Sequence, residues 1–476
     1  MREGTTPTEI RHVAVVDIGK SNAKVALVDL AEMAERAVRK TSNPIRANGP
    51  YPHHDVERLW DFILQSLAEL NRDTRIEAIS VTTHGATAAL VDKTGQLALP
   101  VLDYEHAGPD ISRADYAAVR PGFSETGSPP LPLGLNLAAQ IYWQQHAFPE
   151  SFARVRRILT YPQYWAFRLS GIQATEATSL GCHTDLWNPA TGDFSSLVDR
   201  VGWREVMAPV RRAGDRLGPI LPELAARTGL APDVAILCGI HDSNASLLPH
   251  LLSRPLPFAV VSTGTWVVVL APGGEMHALD PRRDTLINVD ALGRPVPSAR
   301  FMGGREYSVI TDGLPDGWGD GDVKSVLARG IKLLPSVLPG SGPFPSCEAK
   351  WIGQPSPQQI RVAAAFYLAL MAATCLDLVK AEGPTIVEGP CAANPLFLSM
   401  LSAASGRPVI AGGDGTGTSL GTALLAREGS LSIGGHDRRI VIRDRDWQEY
   451  ALAWRTAAEN VGDWRSAPTQ SSPPAS

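Results

Sequence analysis

A strand, a short polar turn and a returning strand occur twice in this chain, about half its length apart: "VVDIGKSNAKVALV" at 15–28 and "AVVSTGTWVVVL" at 259–270. In each, β-branched apolar runs flank small and hydroxyl-bearing residues, the composition of a hairpin. Two such hairpins can hold a polyphosphate between their turns. Glycine lets the backbone come close, turn N–H groups bind the oxygens, and hydroxyls add donors. Gly19, Lys20, Ser21, Asn22 and Lys24 then form one phosphate-binding turn, and Thr263, Gly264 and Thr265 the other. Each turn taken alone reads first as an ordinary hairpin bend, and it is the pair together with Asp17 that points to a phosphate clamp. Asp17 closes the first strand with a carboxylate placed to hold Mg²⁺ through water, because that ion takes one or two carboxylates plus phosphate oxygens.

The chain of 476 residues is long enough for two or three domains. With 44% hydrophobic and 20% charged residues it is a globular sequence. A net charge of −5 leaves no basic footprint, so no nucleic-acid partner and no anionic membrane surface is expected. The five cysteines, Cys182, Cys238, Cys347, Cys375 and Cys391, are odd in number and lack CxxC spacing, which points to buried free thiols rather than disulfides or zinc. "MREGTTPTEIRH" has no apolar signal stretch, and the run Val362–Leu376 is shorter than the roughly 20 residues that span a bilayer. A cytoplasmic protein is expected.

Leu59, Phe62, Ile63, Leu67 and Leu70 recur at helical spacing after Asp55, a suitable N-cap, and Ile76–Val81 returns to strand character. Strands alternating with helices predict an α/β architecture containing parallel strands. A short strand at Val234–Cys238 runs into Gly239-Ile240-His241-Asp242-Ser243. Residues 312–358, rich in Pro, Gly and Asp, predict irregular structure with short helices. A helix over about 357–381, a strand at Thr385–Val387, a helix over about 395–405, a strand at Pro408–Ala411 and a helix at Ser419–Ala426 follow. The tail from 464 to 476 has the low complexity of a disordered segment.

Asp242, in "GIHDSNASLL", is the residue singled out for chemistry. One reading makes it or Ser243 the N-cap of the following helix; the other makes it the general base that takes a proton from an attacking hydroxyl. A carboxylate of ordinary pKa suffices, since phosphoryl transfer depends on positioning more than on a strong base. His84, before Gly85 in "TTHGAT", is a structural hydrogen bonder or a ligand contact, and Asp103 and Glu105 in "VLDYEH" bond sugar hydroxyls or are solvated loop charges. Gly389, Asn394, Gly412 and Gly413 lie in small-residue loops that a flat adenine can approach. His53 and His54 have no partner at metal spacing.

Taken in order, these pieces resemble the FGGY carbohydrate kinase family, which shares a superfamily with actin, hexokinase and the heat-shock chaperone ATPases. The resemblance covers roughly residues 12–430. "VVDIGKSNAKV" is similar to the first phosphate motif, carried by Asp17, Gly19, Ser21 and Lys24. "TYPQYWAFRLSGIQATEATSLG" and "LGPILPELAARTGLAPDVAILCGIHDSNAS" resemble the two following signatures, the second ending on Asp242. "VSTGTW" matches the second phosphate motif, and "VEGPCAANPLF" with "AGGDGTGTSLGTALLA" stands where the adenosine motif belongs. His241–Ser246 and Ser262–Trp266 resemble runs typical of rhamnulose and fuculose kinases, while "THG" at 83–85 is closer to xylulose kinases, in which a histidine at this place touches the sugar.

The resemblance implies two actin-like (ribonuclease H-like) domains, each a mixed β-sheet flanked by helices, with a cleft between them: a sugar-binding domain over 1–247 and an ATP-binding domain over 248–463. It implies transfer of the γ-phosphoryl group of ATP, with Mg²⁺, to a hydroxyl of a ketose such as L-fuculose, L-rhamnulose or a pentulose. Asp242 is the base, and His84, Gly85, Asp103, Glu105 and His241 hold the sugar. A polyol kinase and a non-catalytic sugar- or nucleotide-binding regulator of the same fold stay open as alternatives, and a homodimer is compatible with the sequence. Departures from the family pattern are Lys20 in place of Thr, Glu388-Gly389-Pro390 in place of a glycine triplet, Tyr104-Glu105-His106 in the sugar loop, and "FMGGREY" at 301–307. In that last segment Arg305 and Glu306 either reach the substrate or pair with each other.

Overall fold

A computed structural model describes residues 10–277, 279–412, 417–427, 438–442 and 444–460. Among these the chain divides into two compact units. The first collects 10–254, 287–295 and 417–427; the second collects 255–286, 296–412 and 438–460 apart from 443. The sequence placed a single boundary after residue 247, a position that lies within the helix Asp242–Ser253. The proposed 464–476 tail lies outside the described residues.

The expected opening hairpin is present: His12–Ile18 pairs antiparallel with Asn22–Asp29, with Asp17 opposite Lys24. His12–Ile18 also pairs parallel with Ala78–Thr83, which in turn pairs parallel with Ala235–Leu237 and with Ile240–His241. Arg216–Pro219 and Ala34–Ser42 complete this seven-stranded sheet. Period-two alternation sends Ala14, Val16 and Ile18 into one core with Leu59, Ile63 and Leu67, and sends Val13 and Val15 into another with Leu420 and Leu424. The sheet is therefore covered on both faces, as strands this uniformly apolar require. The helix Val56–Asp73 starts where Asp55 accepts a hydrogen bond from Arg58 N at 3.3 Å.

The helix Asp242–Ser253 contains Pro249, which has no N–H to give the carbonyl of Ala245. Gly421, in the helix Thr418–Leu424, lies against that carbonyl and 3.3 Å, measured from an added Cβ, from Pro249 Cδ. Any side chain at 421 would collide there, so the two helices meet at a distance only glycine allows.

In the second unit Ala259–Thr263 pairs antiparallel with Val267–Leu270 and parallel with Thr385–Glu388, with Thr263 opposite Val267 and Ser262 opposite Glu388. Val409–Ala411 and Arg438–Ile440 extend the sheet on one side, and on the other Pro295–Phe301 and Thr285–Val289, strands whose residues 287–289 and 295 are grouped with the first unit. The apolar helix Pro357–Leu378 is the one helix among the described residues long and apolar enough to cross a membrane, yet 83% of its most apolar window is buried. It packs with Pro395–Ser405 in the core of this unit. Within 312–358 the structure places a helix at Asp320–Arg329 and a two-stranded pair, Lys332–Leu334 with Lys350–Ile352.

Candidate active site

Strand register brings the acidic residues of the first unit to one end of its sheet. Asp17 and Ile240 both stand level with Thr82, so Asp17 and the His241-Asp242 step share the carboxyl ends of neighbouring parallel strands. That edge is where ligands bind in open α/β sheets. The 19–22 turn lies there too. Gly19 N closes it on the Asn22 carbonyl at 2.9 Å, while Asn43 takes the carbonyls of Gly19 and Ser21 at 2.9 and 2.8 Å. With the carbonyls held from behind, the amides of Lys20 and Ser21 carry no hydrogen bond among the described residues. Turn amides without a protein partner suit an anion.

Asp242 is the first residue of its helix, and His241 is the N-cap, so the capping alternative for Asp242 does not describe the structure. Its Oδ1 accepts hydrogen bonds from Ser243 N at 2.6 Å and Ser243 Oγ at 3.3 Å, and lies 3.3 Å from His241 Nε2. Oδ2 has no such partner among the described residues, and the side chain is one-third exposed. His241 N donates to Thr178 Oγ1 at 3.0 Å, tying the cap to the helix Ala177–Leu180. Burial opposes a charge on His241, yet the neighbouring sulfur of Cys182 and the Asp242 carboxylate raise its pKa to about 9. Burial likewise pushes the Cys182 thiol up, but His183 and His241 more than offset this and hold it well below the ordinary thiol range.

Burial first, then the charge of Asp242, drive the Asp17 carboxyl up to about 6, against the opposing pull of Lys24 at 3.5 Å. A divalent cation would relieve that cost. No cluster of three His, Cys, Asp or Glu side chains is assembled for a metal among the described residues. A cation at Asp17 would therefore be completed by water and phosphate oxygens, the ligand set that Mg²⁺ favours, so the residues fit that ion.

His84 is buried and neutral, with burial lowering its pKa to about 4. Its Nδ1 faces the Gly85 carbonyl at 2.9 Å, leaving a buried Nε2 without a partner. Gly85 is required beside it, because an added Cβ would lie 2.7 Å from His241 Nε2. The rings of His54, Tyr104 and Tyr161 surround His84 with centroids 5.2–5.4 Å away, and neither ring nitrogen of His54 has a partner. Asp103 is buried and Glu105 exposed. Lys20, placed among the phosphate ligands by its position in the turn, sends its ammonium to Asp103. His54 beside His84 and Cys182 beside His241 are neighbours that the sequence did not single out.

In the second unit the 263–265 turn repeats the plan of the first: Gly264 N closes on the Trp266 carbonyl at 2.9 Å, and Arg305 N donates to the Thr265 carbonyl at 3.4 Å. The Thr263 hydroxyl bonds the Glu388 carbonyl and accepts from Cys391 N at 3.1 Å. It thus fastens the turn to the 388–391 loop. Gly389 has φ +77°, and a Cβ there would strike the Thr263 carbonyl. Asn394 Oδ1 caps the helix Pro395–Ser405 through Leu396 N and Phe397 N at 3.0 and 3.2 Å, so its Nδ2 is the part left to donate. A cavity of about 370 Å³ opens between Thr263, Gly264, Tyr307, Leu368, Asn394 and Phe397. Its apolar and aromatic walls suit a flat base. Gly412 N donates to the Val387 carbonyl at 2.8 Å; Gly413 lies outside the described residues. Glu306 is buried and bonds Tyr367 Oη, Ser336 Oγ and Leu338 N, while Arg305 is exposed, so these two do not pair with each other.

Two sheet-containing α/β units, each with a glycine-bearing hairpin turn, define the actin-like ATPase class of fold. Residues 124–249 match the FGGY family of carbohydrate kinases, N-terminal domain, and residues 255–433 match the carbohydrate kinase FGGY C-terminal domain. A carbohydrate kinase from Novosphingobium aromaticivorans is 35% identical and superposes with a TM-score of 0.86 over 95% of this chain and 99% of its own. The xylulose kinase from Lactobacillus acidophilus shares the fold at 15% identity, TM-score 0.78, over 94% and 98% of the two chains. L-fuculokinase of Escherichia coli (strain K12) is 24% identical over 280 residues, 56% of this chain, and the match spans 57% of that relative's length. The chain belongs to the FGGY family of carbohydrate kinases.

Proposed function

We propose that the protein is an ATP-dependent kinase acting on a hydroxyl of a neutral ketose, of the fuculose, rhamnulose or xylulose kind. The asymmetry of Asp242 carries this reading: both Ser243 donors and the nearby His241 ring engage Oδ1 and leave Oδ2 to accept a proton. In the proposed reaction Oδ2 takes the proton of the sugar hydroxyl, the freed oxygen attacks the γ-phosphorus, and ADP leaves with the electron pair of the broken P–O bond. His84 Nε2 accepts a hydrogen bond from a sugar hydroxyl. The amides at 20–21 and the 263–265 turn bind phosphate oxygens, and the apolar cavity takes adenine. Asp17 is the residue that would hold Mg²⁺ through water, which when bound offsets phosphate charge.

The relatives named for L-fuculose and xylulose support a ketose acceptor. A panel of ketoses and polyols incubated with Mg-ATP, read as sugar-dependent ADP release, tests the proposal. Phosphorylation of a ketose supports it. Turnover confined to glycerol or erythritol makes the protein a polyol kinase, and absence of any sugar-dependent turnover makes it a binding protein of the same fold.

A further inference from the structure

Lys20 belongs to the phosphate turn by position, but its side chain belongs to another part of the first unit. Its ammonium donates to Asp103 Oδ1, lies 3.4 Å from Glu105 Oε2, and sits 4.6 Å from the centre of the Tyr104 ring. Three consecutive residues of one loop thus converge on one cation. An ammonium held by two carboxylates and an aromatic face gains from charge-assisted bonding and from the ring quadrupole together.

Backbone contacts also pin the loop. Asp103 N bonds the Pro52 carbonyl at 3.0 Å, and Gly134 N bonds the Tyr104 carbonyl at 2.8 Å. The Asp103 side chain is what organises its tip: Oδ1 accepts from Glu105 N at 3.1 Å as well as from Lys20. The Tyr104 ring meets the His84 ring edge-on at 5.4 Å, and His84 carries the unpartnered buried Nε2. Lys20 therefore supports a wall beside that acceptor atom, and its electrostatic effect reaches both His84 and His54.

We propose that the Lys20 side chain is a positioning residue for the acceptor sugar, holding Asp103, Tyr104 and Glu105 against His84, while only its backbone amide serves the phosphate turn. The proposal rests on the kinase reading for its catalytic consequence, but not for its structural one.

The test uses the full chain with Lys20→Met, which keeps the stem and removes the charge, and Lys20→Arg, which restores a cation. With L-fuculose and D-xylulose as acceptors, Lys20→Met raises the sugar KM about tenfold or more, leaves the KM for Mg-ATP within about twofold, and changes kcat by less than about threefold; Lys20→Arg recovers most of the loss. A rise in the ATP KM with the sugar KM unchanged overturns the proposal and makes Lys20 a phosphate ligand. If the wild type phosphorylates neither sugar, hydrogen exchange without substrate decides. The Glu105 and His106 amides, bonded to Asp103, exchange about tenfold faster in Lys20→Met. Unchanged exchange overturns the proposal whether or not the protein is a kinase.

Discussion

The imidazole Nε2 of His241 lies 3.3 Å from Oδ1 of Asp242, although the two side chains come from adjacent residues on either side of a helix start. Strand geometry before the helix and helical geometry after it turn both groups to the same place. Asp242→Asn keeps the shape and the Oδ1 contacts but removes the proton acceptor. Sugar phosphorylation should fall by about 10²–10⁴-fold with the unfolding midpoint and ADP binding unchanged. Turnover near the wild-type level would remove Asp242 from the role of base.

The Cys182 and His241 pair predicts a specific dependence of stability on pH. The raised imidazole pKa contributes stability that is full below about 6.5, its ordinary value, and is lost as pH rises towards about 9. The lowered thiol pKa contributes stability that is full above the ordinary thiol value and is lost as pH falls towards the folded value. The two slopes cancel between about 6.5 and 9, where folded and unfolded chains each hold one proton on the pair. Below about 6.5 only the loss remains. Urea midpoints of the wild type and Cys182→Ser should therefore differ by a constant amount in the neutral range and converge as pH drops below it. A difference that ignores pH would show a neutral thiol beside a neutral ring.

His84→Phe preserves ring packing with Tyr104 and Tyr161 but deletes the unpartnered Nε2. The sugar KM should rise about tenfold, the worth of one good hydrogen bond to a buried acceptor, with ADP affinity intact. An unchanged sugar KM would place the acceptor elsewhere.

Gly389→Ala puts a methyl against the Thr263 carbonyl at a backbone angle that disfavours any side chain. The 388–391 loop must move, so calorimetric ADP affinity should fall about tenfold or more while sugar binding is retained. Equal losses on both sides would indicate general damage instead.

Gly421→Ala forces apart the helices Thr418–Leu424 and Asp242–Ser253. Overpacking of this kind costs about 1–3 kcal/mol, read from denaturant unfolding. Activity should fall further than stability, because the displaced helix carries Asp242 at its first turn.

Local patterns in the chain predicted what local physics decides. Leu59, Ile63 and Leu67 with Asp55 mark a helix and its cap, and Pro395–Ser405 matches its expected bounds. Asp242 and the two turns stand out because carboxylates and glycines at strand ends are unusual neighbours. The helix Asp320–Arg329 has only Val323 and Val326 buried, too few to show periodicity amid Pro and Gly. His54 and Cys182 were passed over for a different reason. Cys182 meets His241, which strand pairing with Ala78–Thr83 sets in place, and His54 meets His84 across separate elements. Such meetings depend on tertiary register, which no short window of sequence contains. The same holds for Lys20, whose side chain leaves its own turn for residues more than eighty positions away.

The helix Thr418–Leu424 lies far along the chain from the strands it covers, beyond nearly all of the second unit. A fragment ending near residue 254 would thus expose Val13 and Val15 to water and leave the Ala245 carbonyl uncovered. Neither half of this protein can be prepared by a single cut, and any attempt to graft or swap its first unit must carry that late helix along with it.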